Sequence, residues 1–427
     1  MKRNNMFQTK AQCGINVVGE VIPGSYSASA GVWVKAGPVY ETDDERGISH
    51  FIEHMLFKGT QKRSAKDIAA EIDAIGGSIN AFTGKECTCY YTRTLGEDLP
   101  IAIDILLDMV CNPLLADTDI ENEKGVVCEE ILMGEDDPED VVHENLCIHT
   151  YKNSPIGYPI LGNQNSVRSI TGTKIKDYMD RRYRPENIVI ACAGAFSPDE
   201  LVSMVNEKYT KKVLQESTPC VPSNHFEKGK QIVIAQKDVE QAHICLSLPC
   251  NTFGDRFAPA VNVINSVFGG SSSSWLFQNI REEKGLAYSV YSASSTYSDT
   301  GYWTLYAGTS EAKAKEVLSC MLDELKKLKK NGISREDAES TKEQLRRGFM
   351  LGLESVAAHS STMGKDMLIL GRMRDDDEIL SKLASVTQDD LREAVDMMLC
   401  GDMCLSLVCK NGDTDGTLAQ MIRDFEV

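Results

Sequence analysis

Apolar residues in this chain change period several times, and each change marks an element. Residues 31–36 form a short apolar run and read as a strand. Residues 47–57 read as a helix, and 65–75 as a second one with Ile68, Ala69, Ile72 and Ile75 on one face. Gly76-Gly77 ends that helix, as glycine after a last turn commonly does. Residues 78–82 and 88–94 alternate like paired strands. An amphipathic helix follows over 98–111, stopped before Pro113. A long glutamate-rich helix runs over 118–133, and 188–193 is a buried strand.

The second half repeats the order. Residues 243–248 read as a strand and 258–268 as a helix, again followed by a glycine pair, Gly269-Gly270. Residues 288–294 and 301–308 alternate like strands, and 312–329 reads as a helix. The glycine pairs lie 193 positions apart (269 minus 76). The later helices are about 210 apart, so the pattern implies a duplicated α/β domain of about 200 residues. Residues 213–230 are polar and hold Pro219, Pro222, Asn224 and Gly229, the composition of a linker. The expected division is a first domain over 1–215, a linker over 216–231 and a second domain over 232–427.

Composition narrows the function. The length of 427 residues exceeds what one core usually organises. A net charge of -18 argues against nucleic acid, which wants a basic face. It fits neutral or basic ligands, or serves solubility alone. Residues 4–16 lack the apolar core of a signal peptide, and no run reaches membrane-spanning length. The 14 cysteines are scattered, with no C-x2-C pair; Cys87 and Cys89 would share one strand face as packing residues. This usage implies a reduced, cytoplasmic protein without a thiolate-zinc site, and the lack of a long apolar run implies no membrane partner.

The chemistry-bearing motif is His50-Phe51-Ile52-Glu53-His54. Histidines four apart on a helix project from one face and can share a zinc ion. Glu53 borders the same face, where it can act as general base on a water at the metal. The order H-x-x-E-H is the inverted form of the thermolysin-type motif. Phe51, Ile52, Met55, Leu56 and Phe57 surround these polar residues, so the helix should be buried and its histidines should need partners. A third ligand must come from elsewhere. The glutamate-rich helix offers Glu121, Glu123, Glu129 and Glu130. Glu123 and Glu130 are two turns apart and share a face, but spacing does not choose between Glu129 and Glu130. A solvated helix face would explain any one of these glutamates as well.

The chain resembles the pitrilysin/insulinase superfamily of zinc peptidases, and most of all its bacterial processing-peptidase-like branch. The residues that carry the resemblance are Gly47 to Thr60, Gly76 to Thr83, Glu123 to Ile131, Pro159 to Gly162, Tyr183 to Asn187 and Arg281 to Tyr288. In the family the third ligand lies 76 positions after the second histidine; here that is Glu130 (130 minus 54), with Glu123 orienting a ligand histidine from behind. The resemblance implies an α+β fold of two tandem homologous domains, each a mixed β-sheet flanked by helices. It implies zinc as cofactor and a peptide substrate added as a strand beside Asn80, Ala81 and Phe82. Arg281 and Tyr288 would steady the carbonyl oxygen. Asp140 and Glu144 would favour basic residues near the scissile bond, although acids at a helix start also complement its dipole. A homodimer is the simplest assembly. One departure is Trp275, which stands where the family often has arginine.

Together these features imply a zinc endopeptidase acting on extended peptides or unfolded segments. The alternatives are a non-catalytic or partner-dependent subunit of a processing-peptidase-like complex, and a protein with a structural zinc that would need four ligands and no Glu53. His143 reads as a packing or surface residue, and His149, His225, His243 and His359 as structural.

Overall fold

The structure, a computed structural model, describes residues 5–209 and 223–426. Residues 1–4 and residues 216–222 of the expected linker, with Pro219 and Pro222, lie outside them. The chain forms two compact units, each built from interleaved segments. The first takes residues up to Ile131, then Tyr158–Pro222 and Met350–Asp375; the second takes Leu132–Gly157, Ser223–Phe349 and Asp376–Val427.

The first unit holds a 6-stranded sheet. Its strands are β1 (Met6–Lys10), β2 (Asn16–Val21), β3 (Ser27–Val34), β4 (Ser78–Thr83), β5 (Thr88–Leu95) and β6 (Ile188–Gly194), in the order β1-β2-β6-β3-β5-β4. β2 and β6 run parallel and the other neighbours antiparallel. The second unit holds β7 (Lys230–Gln236), β8 (Ala242–Pro249), β9 (Ala287–Thr296), β10 (Gly301–Thr309) and β11 (Met403–Cys409), in the order β7-β11-β8-β10-β9. Here β7 and β11 are the parallel pair. Counted from β2 and from β7, both sheets follow one pattern, with the first strand beside the fifth, then second, fourth and third. The same topology twice bears out the duplication.

The glycine pairs are not equivalent positions in it. β4 and β9 begin 209 positions apart (287 minus 78) and β5 and β10 begin 213 apart (301 minus 88), against 193 for the glycines. Gly76 sits at φ 61 and turns the chain straight into β4. Gly269 instead lies against β9, where an added Cβ would meet the Ser292 backbone nitrogen at 2.6 Å. Each glycine answers a different local demand.

Four helices frame the site: α1 (Ile48–Leu56), α2 (Ala65–Ala74), α3 (Leu99–Cys111) and α4 (Asp117–Asp136). Phe51, Ile52, Met55 and Leu56 of α1 are fully buried in one core with Val32 and Tyr90 of the sheet and Leu106 of α3. Each such side chain contributes about 1.5–3 kcal/mol by leaving water. The opposite sheet face is covered by the helix Val356–Leu370, whose Met363, Met367 and Leu368 pack on Val18, Trp33 and Val189. In the second unit α5 (Pro138–Thr150) covers the corresponding face, with Val142 and Leu146 against Cys245 and Cys404. β3 starts four residues before the apolar run begins, because Ser27, Ala28 and Ser29 are too small to mark it. Cys87 and Cys89 are buried against Trp33, as packing residues should be. No described helix is long and apolar enough to cross a membrane.

Candidate metal centre

The centre begins with how α1 starts. Gly47 takes φ 86, and a Cβ there would come within 2.4 Å of the Leu161 carbonyl oxygen. No side chain of the Ncap residue is available, so Glu41 takes over. Its carboxylate accepts the Gly47 N–H at 2.8 Å and the Ser49 N–H at 2.9 Å. These are two of the free donors of a helix start. Tyr178 braces the same turn through a 2.7 Å bond with the Ser49 hydroxyl. Burial pushes the Glu41 carboxyl up to about 7, against the pull of these hydrogen bonds.

From this start His50 and His54 project together, with ring centroids 4.6 Å apart. Glu130 of α4 meets them: its Oε2 lies 3.7 Å from His50 Nε2 and 3.5 Å from His54 Nε2. The three donor atoms lie within 4.8 Å of one another. These separations are too long for hydrogen bonds. Donors about 2.1 Å from one zinc at tetrahedral angles stand about 3.4 Å apart, so the set fits zinc. Glu129, the alternative ligand, is exposed and no member of this group.

Two features suit the histidines to metal binding. Burial, and then the charge of His54, push the His50 ring down to about 4. His54 Nδ1 lies 2.8 Å from Glu123 Oε1, which turns its Nε2 toward Glu130. His50 Nδ1 is buried with no hydrogen-bond partner among the described residues. Glu123 is buried and its second oxygen meets Lys58 Nζ at 2.5 Å.

Glu53 borders the group. Its Oε2 accepts the Thr83 hydroxyl at 2.5 Å, which ties α1 to the end of β4. Burial holds its carboxyl above the ordinary value; Thr83 and His54 pull it down, and the Glu130 charge pushes it up. Among the described residues β4 pairs with β5 alone and so presents a free edge beside Glu53. On it Asn80 is exposed, Ala81 packs toward the core, and Phe82 leans on Trp33 at 5.5 Å. Trp33, Phe82 and Tyr91 line a cavity of about 310 Å³ closed by Ala357, Ala358, Ser360 and Ser361.

The remaining expected residues belong to the second unit. Asp140 and Glu144 are exposed on α5. Arg281 lies in a π-helical turn, Phe277–Glu283, with its guanidinium 4.6 Å from the Tyr288 ring, so that pair is brought together. Tyr288 is 78% exposed. Trp275 packs on Phe268 and beneath Lys327. His143 stacks beside Tyr291 and Tyr306, and its Nε2 lies 2.9 Å from the Tyr291 hydroxyl. Three contributors escaped the reading of the sequence: Glu41, Lys58 and Thr83. None stands at a ligand spacing; Lys58 and Thr83 act through partners distant in sequence, and Glu41 through backbone N–H groups six and eight residues on.

A mixed-sheet protein whose two histidines on a buried helix meet one glutamate from a second helix is the class that fold and site define. The chain belongs to the insulinase family, peptidase family M16. Residues 16–164 match the model described as insulinase (peptidase family M16), and residues 169–345 match the peptidase M16 inactive domain. It is 39% identical over 94% of its length, and 98% of the other's, to a Bacillus subtilis protein called an uncharacterized zinc protease. A Streptomyces coelicolor protein of the same description is 37% identical, over 89% of this chain and 84% of the other. The fold matches a protease from Helicobacter pylori with TM-score 0.86 at 20% identity, covering 95% of this chain and 99% of the other.

Proposed function

We propose that the chain is a zinc-dependent endopeptidase of the inverted H-x-x-E-H type. The observation that carries this is the convergence of His50, His54 and Glu130 beside a raised Glu53 carboxyl. Zinc, when bound, supplies Lewis acidity to the scissile carbonyl and to a water. His50 and His54 offer their Nε2 atoms, and Glu123 keeps the His54 ring turned. Thr83 occupies Glu53 Oε2, which leaves Oε1 to take a proton from the attacking water. A raised carboxyl holds that proton well enough to hand it to the leaving amine. The substrate is an extended peptide or unfolded segment paired along the β4 edge at Asn80, Ala81 and Phe82. By resemblance we assign Arg281 and Tyr288 to the carbonyl oxygen, and Asp140 and Glu144 to basic side chains near the scissile bond. The scattered free cysteines support a reducing, cytoplasmic setting, and a homodimer is the simplest assembly.

The test is purified protein with a mixed library of peptides, with and without chelator, products read by mass spectrometry. Chelator-sensitive cleavage, abolished by Glu53→Gln with zinc retained, is the expected result. Zinc-loaded protein that cleaves nothing would point to a partner-dependent subunit. Parent-rate cleavage by Glu53→Gln would sink the mechanism.

A further inference from the structure

We propose that Lys58 is a positioning residue of the metal centre: it holds Glu123, and Glu123 in turn holds the His54 ring. The inference rests on the zinc reading above. Lys58 lies just beyond α1, whose last turn is closed by its N–H on the Met55 carbonyl at 3.1 Å. The backbone is therefore fixed where its side chain departs. Its ammonium meets Glu123 Oε2 at 2.5 Å while Glu123 Oε1 meets His54 Nδ1 at 2.8 Å. Both carboxylate oxygens are thus in use, one on each side. Glu123 comes from α4, so Lys58 and His54 clamp a buried carboxylate between two helices.

The charge pattern gives the arrangement a direction. Three carboxylates gather here, Glu53, Glu123 and Glu130. Among the described residues, Lys58 is the one lysine or arginine paired with any of them. The Glu123 side chain is only 4% exposed, so water cannot take the place of a lost partner. Without Lys58 the carboxylate is free to turn, and the His54 Nδ1 bond that aims Nε2 at the site is no longer held. Lys58 itself is 37% exposed, so its loss should leave the core intact.

The experiment measures zinc affinity by competition with a chromogenic chelator for the parent, Lys58→Met, Lys58→Arg, Glu123→Gln and the double variant Lys58→Met/Glu123→Gln. Thermal unfolding of the metal-free forms reports folding separately. Lys58→Met should bind zinc about 10-fold more weakly, in the range that supporting partners of ligand histidines show. Lys58→Arg should restore most of the loss. The double variant should be no weaker than Glu123→Gln alone, because Lys58 acts only through Glu123. Lys58→Gln carries the same reading if Lys58→Met unfolds early. Parent-like affinity in Lys58→Met, or penalties that multiply in the double variant, would overturn the proposal. A parent that binds no zinc removes the zinc reading and this inference together. A parent that binds zinc and cleaves, beside an equally tight Lys58→Met, removes this inference alone.

Discussion

Replacing Glu41 with glutamine isolates the cap of the motif-bearing helix. Glu41 is buried, with a carboxyl raised from 4.5 to about 7, mainly by desolvation. A raised carboxyl favours the protonated folded state. Below pH 4.5 both folded and unfolded chains carry the proton and nothing is lost. Between 4.5 and 7 the unfolded chain ionises first, and stability falls as pH rises; above 7 the whole loss, about 3 kcal/mol, is in place. Between pH 5 and pH 8 Glu41 should therefore remove about 2.5 kcal/mol. His50, pushed down to about 4, works the other way, losing stability as pH falls below 6.5. Glu53, raised by burial, works with Glu41. Only the difference between variants isolates Glu41. Glutamine has one acceptor oxygen for the Gly47 and Ser49 N–H groups, which costs about 1–3 kcal/mol at every pH. The assay is urea unfolding of metal-free parent and Glu41→Gln at pH 5 and pH 8. The variant should be less stable at pH 5 but should lose about 2.5 kcal/mol less on going to pH 8. A variant whose pH dependence follows the parent's within about 0.5 kcal/mol would refute the reasoning.

Two other changes test neighbouring steps. Thr83→Val removes the hydroxyl that lowers the Glu53 carboxyl. The acidic limb of the kcat/KM profile should move to higher pH, and an unmoved limb would mean that Glu53 is not the titrating base. Gly47→Ala forces a Cβ against the Leu161 carbonyl at a left-handed φ. The strain is worth about 1–3 kcal/mol, so Tm should fall by several degrees, while Ala at the open, exposed helical Gly125 should leave it unchanged or raise it slightly.

Periodicity exposed the helices and paired strands around the site because their apolar faces are regular. It missed β1, β2, β7 and β11 and the helices after residue 331. The helix Arg335–Gly352 has few buried residues, so its sequence looks polar all round. The coverage of each sheet by a helix from the far part of the chain was also illegible. Nothing local in Val356–Leu370 says that its Met363 will lie near Trp33. The two histidines and Glu53 were legible because one helix carries them. Glu130 needed the resemblance to separate it from Glu129. Thr83 and Lys58 were invisible as partners, because a hydrogen bond across 30 residues or an ion pair from residue 58 to residue 123 leaves no spacing signature.

The repeated strand order locates the chemistry within the fold. Between the second and third strands of the shared pattern, the first unit inserts α1 and α2, and the second unit inserts the helix Ala258–Phe268 and the turn Phe277–Glu283. By that order Ala258–Phe268 is the counterpart of α1. Its sequence, Ala-Pro-Ala-Val-Asn-Val-Ile-Asn-Ser-Val-Phe, has no histidine and no glutamate. Its buried residues Val261, Ile264 and Phe268 pack as Phe51, Ile52 and Met55 do. Packing therefore asks only for the apolar face of this helix, and the scaffold does not require His50, Glu53 or His54. These polar groups sit on a buried helix at a cost in desolvation, visible in the lowered His50 and the raised Glu53. Since the second unit attains the same topology without them, the first retains them for something other than folding.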